Sequence, residues 1–325
     1  MDKFRIGIIG AETKQGAQLV RLLAGHPYVA ITAIHAEGAQ GLMISTVHPA
    51  LHSICDMICS DMEEVIECSD VIFSAVAQDK SEELSAACIR KKSVFIDLSA
   101  NYRPQGEESY NEWFGYQLEY PGLHEASVYG LPELLREDIV GKVIIAVPSP
   151  IAAAAAIALC PALMSGMIYA DSVTVIASVP PTMEEQIAEK NETEQILCKM
   201  SGEKVAVNLV KNSVSGARGL LVACIARLKP DYSEAHLIAA FEQVYGRESF
   251  VRIRRHGEVS TAHVTGSNFT DVSVGYDVPT NTAVFTAALD DTIKGGAGLA
   301  VQNMNIMLSI PEITALELYP SPYGV

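Results

Sequence analysis

The stretch that most restricts how this chain folds is Lys142-Val-Ile-Ile-Ala-Val-Pro-Ser-Pro-Ile-Ala-Ala-Ala-Ala-Ala156, where an apolar run meets two prolines and then a row of alanines. Val143 to Val147 reads as a buried strand, Pro148-Ser149-Pro150 as a sharp corner, and Ile151 to Leu163 as a helix. Pro150 suits the first helical turn, because its missing N–H would be unpaired there anyway and its fixed φ is already helical. A corner of this kind directs a side chain and several backbone N–H groups at one spot. Open α/β sheets place their chemistry at such corners.

The chain before the corner repeats the same grammar. Phe4 to Ile9 is a short apolar run followed by Gly10-Ala-Glu-Thr-Lys-Gln-Gly16 and a helical pattern through Leu19, Val20, Leu22 and Leu23. Val29 to Ile34, Val71 to Ala75 and Val94 to Leu98 read as further parallel strands, with helices over Met62 to Cys68 and Glu82 to Arg90. This alternation predicts a doubly wound, Rossmann-like α/β domain. Beyond the corner the pattern mixes strands at Ser172–Ala177, Val222–Leu228 and Ser249–Arg254 with helices at Met183–Met200 and Ser233–Tyr245. The Met183–Met200 helix reads as acidic and amphipathic, with Ile187, Ile196 and Leu197 on its apolar side.

At 325 residues and 49% hydrophobic content the chain is large enough for two cores. The expected division is residues 1–147, 148–300 and a C-terminal helix and tail, 301–325, returning to the first domain. A net charge of −16 argues against nucleic acid or an anionic membrane surface as partner. The start at Met1-Asp2-Lys3-Phe4 leads straight into a strand, and no apolar run reaches the ~18 residues of a membrane span, so a cytoplasmic protein is expected. Seven scattered cysteines do not form a disulfide framework. His48, His52, Cys55 and Cys59 have the spacing of soft metal ligands, but Pro49 interrupts the helical face they would need, and no metal is expected.

Several motifs together resemble one family. Asp97-Leu-Ser-Ala-Asn-Tyr-Arg103, Val128-Tyr-Gly-Leu-Pro-Glu-Leu134, Gly266-Ser-Asn-Phe-Thr-Asp271, Leu289-Asp-Asp-Thr-Ile-Lys-Gly-Gly-Ala-Gly298 and Val301-Gln-Asn-Met-Asn-Ile-Met307 resemble signatures of N-acetyl-γ-glutamyl-phosphate reductase, the NADP-dependent enzyme of arginine biosynthesis. The resemblance covers nearly the whole chain. It implies a second, α+β domain of the semialdehyde dehydrogenase type, through which the family oligomerises.

The resemblance also marks where this chain departs. The family's corner reads roughly Asn-Pro-Gly-Cys-Tyr-Pro-Thr; here Val147, Ser149 and Pro150 replace the asparagine, glycine and nucleophilic cysteine, while Pro148 matches. The family's acid-base histidine aligns near Ile187, in a much shortened segment, and no histidine occurs between His124 and His236. A further family histidine is Asn212, although Arg218 and Gly219 remain. In the glycine loop Gly7, Gly10, Ala11 and Gly16 are kept, whereas Glu12 and Thr13 stand for a threonine and a glycine. A carboxylate at Glu12 repels a phosphate, and a side chain at Thr13 limits φ and close approach. After the second strand His35-Ala36-Glu37 replaces the family's serine and arginine; Glu37 is either a ribose 2′-OH acceptor, favouring NAD over NADP, or a solvated loop charge.

Arg103 would be a substrate-phosphate contact by the resemblance, with a surface ion pair as the ordinary alternative, and Arg218 is a second candidate for an anion. Asn303 falls where the family's final helix approaches the cofactor. Ser149 is a weak substitute nucleophile, since a hydroxyl needs an adjacent base and none lies within sequence reach. Cys160, inside the following helix, reads as a packed core thiol. The expected function is a reductase-like protein that has lost its activity, retains no cofactor, and works as a structural or regulatory subunit. Its partners would be copies of itself, an active reductase or the pathway kinase. The alternatives are an active NAD(P)-dependent oxidoreductase of acyl phosphates and a sensor of anionic metabolites.

Overall fold

The computed structural model describes residues 3–115, 117–183, 188–215 and 218–320. The chain divides into two compact units, Met1–Pro148 with Gly296–Glu317, and Ser149–Gly295 with Leu318–Val325.

In the first unit the elements run β1 (Phe4–Ile9), α1 (Lys14–Leu23), β2 (Val29–His35), α2 (Ile44–Val47), α3 (Met62–Glu67), β3 (Val71–Ser74), α4 (Ser81–Arg90) and β4 (Val94–Asp97). They continue through α5 (Gly106–Phe114), α6 (Pro121–Ala126), β5 (Ser127–Tyr129), α7 (Pro132–Ile139) and β6 (Ile144–Ala146). The six strands form one parallel sheet in the order β2-β1-β3-β4-β6-β5. β3 is buried along its whole length and β1 over its last four residues, as expected of a parallel sheet covered on both faces. Ile9, Ile72, Phe95, Tyr102 and Ile144 are among the side chains of the core. From β1 the chain winds one way to β2 and the other way to β3, which opens a crevice beyond the carboxyl ends of these strands.

The second unit holds α8 (Pro150–Met164), β7 (Val173–Val179), α9 (Glu189–Ser201), β8 (Val207–Ser213), β9 (Leu220–Arg227), α10 (Glu234–Tyr245), β10 (Val251–Arg254), β11 (Thr270–Asp277) and β12 (Thr282–Leu289). Its mixed sheet has the order β10-β11-β12-β9-β7-β8, with β10–β11 and β7–β8 parallel and the rest antiparallel. The strict alternation along β7 and β9 puts Val173, Val175, Ala177, Val222, Cys224 and Ala226 on the core face. α8 is buried from Pro150 to Leu163, and its alanines let β9, β12 and α9 approach closely. Tyr245 closes this packing by donating its hydroxyl to the Ile157 carbonyl at 2.9 Å. The last helix, α11 (Gly298–Met307), belongs to the first unit, where Asn303 Nδ2 donates to the Gly130 and Leu299 carbonyls, both at 2.9 Å.

Of the helix expected over Met183–Met200, the described residues form Glu189–Ser201, which starts after Ala188 at a left-handed φ of 56°. Ile196 and Leu197 are buried as expected, but so are Glu189 and Glu192 on the face that reads as solvated. Ile187 lies outside the described residues.

His124 sits inside the first unit, stacked on Tyr102 with ring centroids 4.4 Å apart and edge-on to Tyr110 at 5.0 Å. Glu82 Oε1 lies 3.3 Å from its Nε2, yet the Glu82 carboxylate also receives the Glu119 and Tyr120 N–H groups, and burial still holds the His124 pKa down to about 4. An unfolded histidine titrates near 6.5, so between these values the unfolded chain binds a proton that the folded one does not. Stability is therefore complete above about pH 6.5 and falls as the pH drops toward 4, by up to about 3 kcal/mol from this residue. Urea midpoints measured from pH 4 to 7 should show this loss in the wild type, and His124→Phe should remove about one proton from the slope.

Candidate active site

In the first unit the glycine loop closes tightly on the sheet. Gly10 has a φ of +85°, and a Cβ there would lie 2.6 Å from the Ala75 carbonyl oxygen; at Gly16 it would lie 2.3 Å from the Gly10 oxygen. Thr13 does not strain this loop. Its φ of −77° is ordinary for any residue, and it caps α1, its Oγ1 accepting the Gly16 N–H at 3.0 Å and donating to the Gly10 carbonyl at 2.8 Å. The expected limit on φ is thus not the effect of this replacement. Its effect is to occupy the Gly16 N–H.

Glu12, half-buried, accepts the Glu37 N–H at 2.9 Å on its Oε2 in an exposed hydrogen bond. The Glu37 carboxylate in turn lies 3.3 Å from Lys80 Nζ. Beside them is a cavity of about 380 Å³ lined by His35, Glu37, Gly38, Gln40, Asp61 and Met62, among others. Two carboxylates and no lysine or arginine line it, which favours a ribose hydroxyl over a phosphate. Ala11 gives its carbonyl to His48 Nε2 at 2.8 Å, and Gln15 Oε1 accepts the Ala297 N–H at 2.9 Å. His52 faces Asp56 at 3.6 Å.

Arg103 is not a surface ion pair. It is buried, with Nε on the Val147 carbonyl at 2.9 Å and Nη2 on the Leu98 carbonyl at 3.2 Å. Asp97, fully buried nearby, receives the hydroxyls of Ser81 and Ser99, and burial raises its pKa. Arg103 therefore braces the backbone at the carboxyl ends of β4 and β6. Asn303 similarly spends its amide on the backbone of Gly130 and Leu299.

In the second unit, Ser149 is the N-cap of α8 and is fully buried. Its Oγ accepts the Ala152 N–H at 3.3 Å, and its own N–H donates to Glu192 Oε1 at 2.9 Å. The structure thus brings to the corner a carboxylate that sequence distance hid, but places it on the backbone N–H and not on the hydroxyl. Pro150 occupies the first helical position, and a Cβ on Gly295 would come within 2.8 Å of its ring. Cys160 is fully buried, and burial pushes its thiol pKa up. Asn212 lies exposed on β8.

Arg218 is held from one side. Its Nε is 2.7 Å from Asp290 Oδ2 and its Nη2 donates to Thr292 Oγ1 at 2.7 Å. Asp290, fully buried, also receives the N–H groups of Gly266, Thr292 and Ile293. Asp291 takes the Gly219 N–H at 2.6 Å, and burial raises its pKa. The chain then enters a π-helical turn, Ile293–Ala297, whose Lys294 is buried over the Phe250 ring at 5.6 Å. Neither the Asp290 hub nor Glu192 is evident from sequence. The run Leu289-Asp-Asp-Thr-Ile-Lys-Gly-Gly was the available signal for the first, and Glu192 offered none.

Comparison with known proteins places these features. Residues 5–142 match the model of the semialdehyde dehydrogenase NAD binding domain, and residues 188–291 that of the semialdehyde dehydrogenase dimerisation domain. The N-acetyl-gamma-glutamyl-phosphate reductase of Geobacter sp. (strain M21) is 32% identical over 97% of this chain and 99% of its own. The chain belongs to the N-acetyl-γ-glutamyl-phosphate reductase family.

Another relative, from Nitrosopumilus maritimus, carries the name putative [LysW]-L-2-aminoadipate/[LysW]-L-glutamate phosphate reductase and is 29% identical over 97% of this chain and 99% of its own. Among solved structures, aspartate semialdehyde dehydrogenase II of Vibrio cholerae has a TM-score of 0.72 at 14% identity, covering 95% of this chain and 99% of that one. The NADP complex of the Candida albicans aspartate semialdehyde dehydrogenase has a TM-score of 0.70 at 16% identity, covering 94% and 98%. The Rossmann-like domain and the α+β second domain are thus those of the semialdehyde dehydrogenase fold.

Within this family fold, Glu12 and Thr13 are the loop side chains that, by the resemblance, are expected to oppose a nucleotide phosphate. Replacing both, Glu12→Thr with Thr13→Gly, should tighten NADP⁺ binding at least about tenfold by isothermal titration calorimetry, since each tenfold is about 1.4 kcal/mol and a carboxylate near a phosphate opposes binding by more. A change below about threefold would mean that other groups limit binding.

Proposed function

We propose that this family member has lost the reductase activity and serves as a non-catalytic structural or regulatory subunit. The observation that carries this reading is Pro150 at the corner where the family motif has its nucleophilic cysteine, with its ring against Gly295. Reduction of an acyl phosphate in this family needs a thiolate to displace phosphate and a nicotinamide to deliver hydride to the thioester. Proline has no atom for the first step. The buried Ser149 hydroxyl is engaged as a helix cap, and the neighbouring carboxylate of Glu192 is engaged with a backbone N–H. The match of residues 188–291 to a dimerisation domain supports assembly as the retained role. Copies of this chain, an active reductase or the kinase supplying the acyl phosphate are the proposed partners. A cytoplasmic location accords with the biosynthetic relatives; among the described residues no helix is long and apolar enough to cross a membrane.

A second reading, an oxidoreductase with altered cofactor use, is favoured by the close approaches kept at Gly10 and Gly16 and by the acid-lined cavity at Glu37. These features fit a dinucleotide with a free ribose 2′-hydroxyl better than one with a 2′-phosphate. Gly10, Ala11, Gly16 and Glu37 would hold it, and it would supply hydride chemistry. The sensor reading is weakened by Arg103, whose guanidinium is buried on backbone carbonyls, and by Arg218, which Asp290 holds.

Two measurements on the purified protein test the proposal. With N-acetyl-γ-glutamyl phosphate and NADPH or NADH, turnover should be lower than that of an active relative by about six powers of ten, as for loss of a nucleophile. With 1 mM NAD⁺ or NADP⁺, thermal stability should not change, whereas a dissociation constant of about 100 µM would add roughly 1.4 kcal/mol. Turnover within a hundredfold of an active relative would overturn the proposal. Stabilisation by NAD⁺ without turnover would move the function to the second reading.

A further inference from the structure

β10 is an edge strand of the second unit, parallel to β11, with Arg252 opposite Asp271 and Arg254 opposite Ser273. Side chains two apart share a face of a sheet, so both arginines, the aspartate and the serine lie on one face. His256 reaches the same strand, since a Cβ on Gly275 would come within 2.4 Å of its ring. Asp271 is fully buried and held by Arg252, whose Nε is 2.5 Å from Oδ1. Arg252 is itself fixed, with Nη2 donating to the His263 carbonyl at 2.8 Å and Cζ 4.4 Å over the Phe269 ring. Arg254 meets only the other oxygen, 3.7 Å from its Nε, and that Nε has no hydrogen-bond partner among the described residues. Directly opposite it, Ser273 has no exposed surface, and its hydroxyl has no partner among the described residues either. A buried hydroxyl and a buried N–H left unpaired both oppose folding, and a single acceptor over these two positions can receive from both.

We propose that Arg254 and Ser273 form a binding site for a phosphate group, with His256 at its rim. Arg254 supplies charge-assisted N–H donors and Ser273 an O–H donor from the floor. These donors stand on two strands and the turn after one of them, so they approach from different directions, which suits a tetrahedral oxyanion better than a planar carboxylate. Asp271 opposes an anion here, but Arg252 neutralises it at 2.5 Å and leaves the charge of Arg254 in excess. A basic site of this kind stands out in a chain of net charge −16. The proposal does not depend on whether reductase activity is kept, and the ligand is either the free ion or a phosphorylated metabolite.

The test is equilibrium dialysis of the full-length protein against radiolabelled inorganic phosphate and, in parallel, glycerol 3-phosphate, with sodium chloride holding the ionic strength constant. At least one of them should bind saturably, about one per chain, with a dissociation constant of about 1 mM or lower, and the tighter of the two identifies the source of the group. Arg254→Ala should weaken binding about ten- to a hundredfold, as for loss of hydrogen bonds to a charged group. Arg254→Met, which keeps the packing of the stem, gives the same reading should the alanine variant not fold. Arg255→Ala removes the same charge one residue away and should change binding less than about twofold. Ser273→Ala should act in opposite directions, weakening binding at least about threefold while raising the urea midpoint of the unliganded protein, because it deletes an unpaired buried hydroxyl. Absence of saturable binding would overturn the proposal. So would binding that both Arg254 variants retain, that Arg255→Ala weakens as much, or that Arg218→Ala abolishes while Arg254→Ala does not. A Ser273→Ala protein that is less stable and binds as the wild type does would overturn it too.

Discussion

A buried helix start needs acceptors for its N–H groups, and at α8 the chain meets that need from inside. Ser149 caps its own helix through Oγ, Pro150 removes one donor altogether, and Glu192 receives the N–H of Ser149. Much of the second unit depends on this settlement. α8 is buried along nearly its whole length, and β9, β12, α9 and α10 pack against it. With a polar helix end left unpaired, that central element would carry a standing penalty of about 1–3 kcal/mol for each orphaned group.

The same physics recurs at the glycine loop of the first unit. There Thr13 takes the Gly16 N–H of the loop itself, and Glu12 takes the Glu37 N–H beyond the end of β2, so both side chains are engaged with the chain's own backbone. Gly10 and Gly16, by contrast, are kept because a Cβ at either would collide with backbone. The close backbone approaches at the glycines are kept, while Glu12 and Thr13 are engaged with backbone N–H groups of the chain itself. The arginines follow suit: Arg103 braces the ends of β4 and β6, and Arg218 leans on the buried Asp290.

Most of the first unit was legible in the sequence. Short apolar runs followed by glycine or proline turns and helical periodicity leave little freedom, and β1 to β4 fall within a residue or two of their expected bounds. The one large error lay at Met183–Met200. Local pattern gave a single amphipathic helix with its acids in water, whereas the described helix starts after Ala188, and Glu189 and Glu192 face inward to Lys211 and Ser149. Hydrophobic periodicity sees only apolar residues, so a buried acid with a distant partner is invisible to it.

The sequence by itself determined the family fold, the proline that the resemblance sets against the family's cysteine and the altered letters of the glycine loop, because these are local facts of residue type and spacing. Tertiary structure alone decided what those letters do. That Thr13 caps α1 and does not strain it, that Glu12 reaches Glu37, that Arg103 is buried on carbonyls and that Glu192 closes the start of α8 all depend on groups brought together across 25 to 44 positions or on backbone angles that residue type leaves open. A hydrogen bond is decided by tenths of an ångström between such groups, and the order of residues along the chain carries no measure of that distance.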